Sequence, residues 1–108
     1  MTPKVRRILA ELREGLEALY GDRLVHLILF GSQARGDAQP GYDSDIDVLV
    51  VLRGPVDDFE ERERTRKVRA GVSLEHSMVL SCMFVSEDAY RESRYPLMES
   101  VHREGVMV

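Results

Sequence analysis

Apolar residues recur at Val5, Ile8, Leu9, Leu12, Leu16 and Leu19, the three- and four-residue spacing of one helix face. This predicts a helix over 2–20, with Thr2 as its cap, Pro3 in its first turn and Gly21 as its stop. Residues 24–30 are continuously apolar apart from His26. The run is too short for a surface helix and predicts a strand buried on both faces. Gly, Asp, Pro and Ser crowd residues 31–44, which reads as a tight turn, a short helix near 32–35 and a loop around Pro40-Gly41. A second strand covers 45–52, and Pro55 ends it.

The pattern then turns polar. Residues 57–70 read as a charged helix in which Asp58–Arg62, Glu60–Arg64 and Glu63–Lys67 are acid-before-base pairs four apart, each worth about 0.2–0.5 kcal/mol. The charge run reads as a solvated face laced with ion pairs. A third strand is expected over 77–85. Ser86 caps a last helix within 87–104, favoured by Glu87 and Asp88 in its first turn and interrupted near Pro96. Gly105 stops it, and Val106-Met107-Val108 form a short edge strand. The order α-β-(short α)-β-α-β-α is that of an α/β fold with a small central sheet.

Composition narrows the class. The 108 residues suit one domain, residues 1–108, with a core able to fold without disulfides. Hydrophobic residues make up 44% and charged residues 31%, as in ordinary globular proteins. The net charge of −4 argues against a long nucleic acid bound by this domain alone, while leaving room for a small anionic ligand. Cys82 is the only cysteine, so an internal disulfide is excluded, and it reads as a small buried residue. No signal peptide or long apolar span is visible, so the expected compartment is the cytoplasm, with no membrane contact. The absence of Asn and the preference for Arg over Lys fit a heat-tolerant source.

The chemistry lies in residues 30–52, FGSQARGDAQPGYDSDIDVLVVL. Side chains two apart on a strand share a face, so Asp45 and Asp47 project together with Cα atoms about 6.6 Å apart. Two carboxylates that close need compensation to stay ionised. A divalent cation supplies it, and oxygen ligands suit magnesium, which takes its remaining ligands from water and substrate phosphates. Gly31 lets backbone approach a ligand closely. Ser32, opening a short helix, offers an amide and a hydroxyl to phosphate. If the two strands pair, both halves meet around a nucleoside triphosphate. Arg35 has two readings: a phosphate contact, or a partner of Asp37 or Asp45. Tyr42 either stacks on a base or covers the loop. A calcium loop counted from Asp43 fails, because Val48 and Gly54 stand where Gly and Glu are needed. The Walker and G-x-S-x-G patterns are absent.

These residues carry a resemblance. GSQARG followed by SDIDVLV is similar to the G-S…D-x-D signature of the DNA polymerase β-like nucleotidyltransferases, and most of all to their smallest branch, the minimal nucleotidyltransferases found beside a helical toxin partner. The resemblance implies a single nucleotidyltransferase-fold domain with a small mixed sheet flanked by helices. It implies magnesium-dependent transfer of a nucleoside monophosphate, AMP from ATP, to an acceptor hydroxyl, with a partner protein as the expected acceptor. By that analogy Gly31 and Ser32 contact the triphosphate, and Asp45 and Asp47 hold the Mg2+. Active members carry a third acid on a later strand. Residues 77–85 contain none, and Glu75 is the nearest candidate. The alternative is a nucleotide-binding, antitoxin-like interaction module that has lost turnover.

Because the chain carries little beyond a donor site, a homo-oligomer or a complex with a small helical partner is expected. Tyr20, Tyr42, Tyr90, Tyr95, Met98 and Met107 are candidate anchors. His26, His76 and His102 show no ligand spacing and read as structural.

Overall fold

The first apolar stripe folds as its spacing requires. In the computed structural model, which describes residues 1–36 and 45–108, helix α1 spans Pro3–Tyr20. Thr2 Oγ1 accepts the Val5 amide at 3.2 Å. Val5, Ile8, Leu9, Leu12, Leu16 and Tyr20 are buried, whereas Leu19 is exposed. Tyr20, not Leu19, closes the stripe, since it lies four residues after Leu16.

A one-turn 3-10 helix, Gly21–Arg23, leads into β1 (Leu24–Phe30), α2 (Ser32–Arg35) and β2 (Ile46–Leu52). There follow α3 (Asp58–His76), β3 (Leu80–Ser86), α4 (Glu87–Glu92), α5 (Pro96–Glu104) and β4 (Val106–Met107). Among the described residues the sheet runs β3-β2-β1-β4. Strand β2 pairs antiparallel with β1 and parallel with β3, and β4 pairs antiparallel with β1. This is the mixed α/β architecture expected. The loop around Pro40-Gly41, with Asp37 and Tyr42, lies outside the described residues.

The two sheet faces have different covers. Leu27, Leu29, Ile46, Val48, Val50 and Leu52 pack against α1 and α3. Ile28, Leu49 and Val51 meet Met98 and Val101 of α5. Only the middle of β1 is buried on both faces; Leu24, Val25 and His26 are half-buried, where the register with β2 shifts. Helix α1 approaches α3 closely at Gly15, where a Cβ would lie 2.5 Å from Val68 Cγ1.

Three expectations are corrected. Helix α3 runs to His76 instead of stopping at 70, because Val72 is buried and packing outweighs the low helix propensity of Gly71. It ends at Ser77 in the left-handed conformation, φ 52°. Strand β3 consequently begins at Leu80, and Ser77–Val79 is helix exit. The charged face is not wholly solvated. Glu61 is 2% exposed and takes a hydrogen bond from Tyr20 Oη at 2.8 Å, with Arg23 and Arg64 as ion-pair partners. Burial, then the Glu61 carboxylate, push the Tyr20 phenol upward. The pairs Asp58–Arg62 and Glu60–Arg64 form, while Glu63 pairs with Arg66.

The Tyr20–Glu61 bond ties the end of α1 to α3 inside the protein. Tyr20→Phe removes a donor to a buried charge and is expected to lower unfolding free energy by about 2 kcal/mol in urea titration. Unchanged stability would mean that the two arginines satisfy Glu61 alone.

Candidate active site

The end of β1 and the start of β2 are brought together by antiparallel pairing, with Phe30 opposite Asp47. Gly31 follows at φ 75°, in the region that side chains rarely adopt. Its carbonyl accepts the amides of Ala34 and Arg35 at 3.1 Å each, which starts α2 at Ser32. A Cβ added at Gly31 would collide with Asp47 Oδ2. Gly31 therefore answers two demands: a backbone that reverses out of a strand, and a carboxylate seated directly on that backbone.

Asp45 precedes β2, whose first amide, Ile46 N–H, donates to Val79 O at 2.9 Å. Asp47 alternates with the inward-facing Ile46 and Val48 and so shares the face of Leu49 and Val51. It is half-buried and Asp45 is exposed. Burial first, then the charge of Asp45, raise the Asp47 carboxyl above the ordinary aspartate range, and Arg35 opposes them. Arg35 Nη1 also reaches Glu104 Oε2 at 3.5 Å. Gly31, Ser32, Arg35, Asp45 and Asp47 thus come from one end of the sheet.

Glu75 is placed elsewhere. It sits in the last turn of α3, its carboxylate 3.9 Å from His76 Nε2, which in turn is 2.7 Å from Glu11 Oε2. The groups acting on Asp47 are Asp45 and Arg35, not Glu75. Parallel pairing sets Ser81 level with Asp47 and Leu80 level with Ile46, so the β3-side positions on the aspartates' face are Val79 and Ser81. Neither is an acid.

Other candidates sort by burial. Cys82 is buried, and loss of water raises its thiol to about 11. Tyr20 and Met98 are core residues, while Tyr95 and Met107 are exposed. His102 Nε2 lies 2.6 Å from Tyr90 O, and His26 packs edge-on to the Tyr90 ring. Sequence reading missed an apolar groove of 740 Å³ on the aspartates' side of β3, lined by Met83, Val85, Tyr95, Leu97 and Met98 among others. The alternating Met83 and Val85 were its only signal. Among the described residues, no helix is long and apolar enough to cross a membrane.

Comparison with known proteins bears on the family and the fold. The family model for the nucleotidyltransferase domain matches residues 9–90. A curated protein of Methanocaldococcus jannaschii, named "Putative protein adenylyltransferase", is 30% identical over 78 residues, covering 72% of this chain and 76% of that protein. A crystal structure of a toxin–antitoxin with AMP-PNP shares the fold at TM-score 0.63, with 18% identity over 98% of this chain and 72% of that one. A structure of tri-AMPylated Shewanella oneidensis HEPN toxin in complex with MNT antitoxin follows at TM-score 0.56, with 16% identity over 96% of this chain and 67% of that one.

The Asp47 carboxyl titrates above the ordinary range in the folded protein, so the folded state holds its proton more tightly than the unfolded chain does. Stability from this group therefore falls as pH rises through that window. Asp47→Asn is expected to stabilise the ligand-free protein at neutral pH, with the gain vanishing as pH falls and the wild-type carboxyl protonates. Melting curves across pH check this; a loss of stability at neutral pH would contradict it.

Proposed function

The chain belongs to the nucleotidyltransferase domain family, and from that premise we propose that it moves AMP from ATP onto an acceptor hydroxyl of a partner protein, with magnesium held at Asp45 and Asp47. The transferase class expected from GSQARG and SDIDVLV is the class of its family. The observation that carries the finer reading is the seating of Asp47 Oδ2 against Gly31. It joins the phosphate-binding turn to the acidic pair in one contact.

The donor set fits the metal. It is all oxygen, and two like charges at the edge of a sheet are stabilised by a cation between them. Bound magnesium would neutralise charge developing on the transferring phosphoryl group and the leaving pyrophosphate. The chain's own residues do the positioning. Gly31 gives the turn the backbone conformation that aims the first amides of α2 at the triphosphate tail, and Ser32 supplies polar contacts there. Arg35 adds a positive charge on the same side. The acceptor oxygen attacks the α-phosphorus in line, the bond to the bridging oxygen breaks, and pyrophosphate leaves. With valine and serine at positions 79 and 81, the acceptor's proton passes to water.

A protein acceptor is favoured by the relative named for protein adenylyltransfer and by a fold neighbour whose toxin partner is AMPylated. The exposed Tyr95 and Met107 give a partner apolar footholds. A second reading, an antitoxin-like nucleotide-binding module with little turnover, is favoured by the lack of an acid at positions 79 and 81.

Calorimetry with ATP is expected to show magnesium-dependent binding that Asp45→Asn plus Asp47→Asn weakens by more than about tenfold, with the fold retained by circular dichroism. Intact-mass measurement of the helical product of a neighbouring gene, incubated with the chain, ATP and magnesium, is expected to show addition of AMP units. Equal nucleotide affinity in the double variant contradicts the site. Binding without any mass gain supports the module.

A further inference from the structure

Glu11 on α1 and the last two residues of α3, Glu75 and His76, form a cluster that the proposed reaction does not use. One ligand atom from each lies within 4.8 Å of the others. His76 Nε2 is the inward donor, 2.7 Å from Glu11 Oε2 and 3.9 Å from Glu75 Oε2. The His76 side chain is 11% exposed and that of Glu75 64%, so one ligand is fixed by packing and another faces solvent.

We propose that Glu11, Glu75 and His76 bind a divalent transition-metal ion of the zinc class, clamping the end of α3 to α1.

Three features carry this. The first is spacing. Donors about 2.1 Å from a tetrahedral ion lie about 3.4 Å from each other. The 2.7 Å pair must open slightly and the 3.9 Å pair close slightly, movements that two flexible glutamate side chains accommodate. The second is donor chemistry. One imidazole nitrogen with two carboxylates is a set that suits zinc and its neighbours, while magnesium prefers oxygen alone. This separates the cluster from Asp45 and Asp47, whose donors are all oxygen. The third is charge. Two carboxylates converge at the C-terminal end of a 19-residue helix, the negative end of its dipole, where a cation is favoured. Arg7 acts on Glu11 from the α1 side and Lys67 lines the groove beside Glu11 and Glu75, where Glu14 adds a further carboxylate, so an incoming dication meets acids and bases together and its coordination by the three donors decides binding. A groove between α1 and α3, lined by Gly15, Ala18, Gly71 and Glu75 among others, gives the ion a path from solvent.

On binding, Nε2 presents its lone pair to the metal, and its proton is released or moves to Nδ1. The Glu11–His76 hydrogen bond is exchanged for two metal bonds, and water completes the shell. Because the unfolded chain lacks this arrangement, the ion stabilises the fold. The inference stands whether or not the chain turns over nucleotide.

Calorimetric titration of the full chain with Zn2+ tests it, with Mg2+ titrated in parallel and Co2+ added for its visible d–d absorption. The Asp45→Asn plus Asp47→Asn variant, which removes the other candidate cation site, is expected to bind one Zn2+ and to melt at higher temperature with it, as the wild type does. Glu11→Gln plus Glu75→Gln is expected to weaken binding by more than about tenfold and to remove the melting shift. His76→Asn should do the same. If His76→Asn does not fold, the exposed Glu75→Gln alone serves and is expected to weaken binding measurably. No Zn2+ binding by the wild type, equal affinity in the cluster variants, or loss of binding in the aspartate variant would each overturn the proposal.

Discussion

A carboxylate resting on a glycine backbone is the contact on which the site depends. Asp47 Oδ2 occupies the space where any other residue at position 31 would carry its Cβ. The strand pairing sets Phe30 opposite Asp47, and a side chain at position 31 would have to displace that carboxylate and also accept a φ of 75°. Asp45 adds a second negative charge two residues away, and the Asp47 carboxyl responds by holding its proton more tightly. A protein without a ligand gains nothing from this arrangement. Burial and like-charge repulsion both oppose it, and Arg35 offsets them only in part.

The remaining structure holds that contact rigid. Helices α1 and α3 bury one face of the sheet, and α5 covers the other only as far as Leu49 and Val51. Asp47, level with Phe30 at the edge of that cluster, is half-buried, and Asp45 is exposed. Glu61, buried among Tyr20, Arg23 and Arg64, links α1 to α3 beneath the sheet. It is a buried charge whose partners are all supplied, which fixes one arrangement of the helices rather than adding much net stability. On β3, parallel pairing puts Ser81 beside Asp47, so this strand gives the site polarity without a third carboxylate.

Local sequence carried much of this. Helix caps, the four strands, the turn at Gly31-Ser32 and the break at Pro96 all follow from spacing and residue chemistry within a few positions. The family could be named from residues 30–52 because Gly, Ser and the paired aspartates have few other uses in that order. Long-range placement was not legible. Glu75 stands two residues before the expected start of the third strand, but α3 continues through Gly71 to His76. That extension sets Glu75 beside His76 and Glu11, the latter 64 positions earlier. Glu61 looked like one more solvated acid because its partners, Tyr20 and Arg23, come from another helix and its exit turn. The apolar groove beside β3 likewise depends on how α4 and α5 are set against the strand.

The most direct test of the central claim is a titration with magnesium and ATP followed by amide resonances in a two-dimensional nitrogen–proton spectrum. Gly31, Ser32 and Asp47 are expected to shift together, with saturation at one common ligand concentration and no response to ATP in the absence of a divalent ion. Shifts confined to Glu11, Glu75 and His76, or to the groove along Met83 and Val85, with Gly31 and Asp47 unmoved, would contradict it.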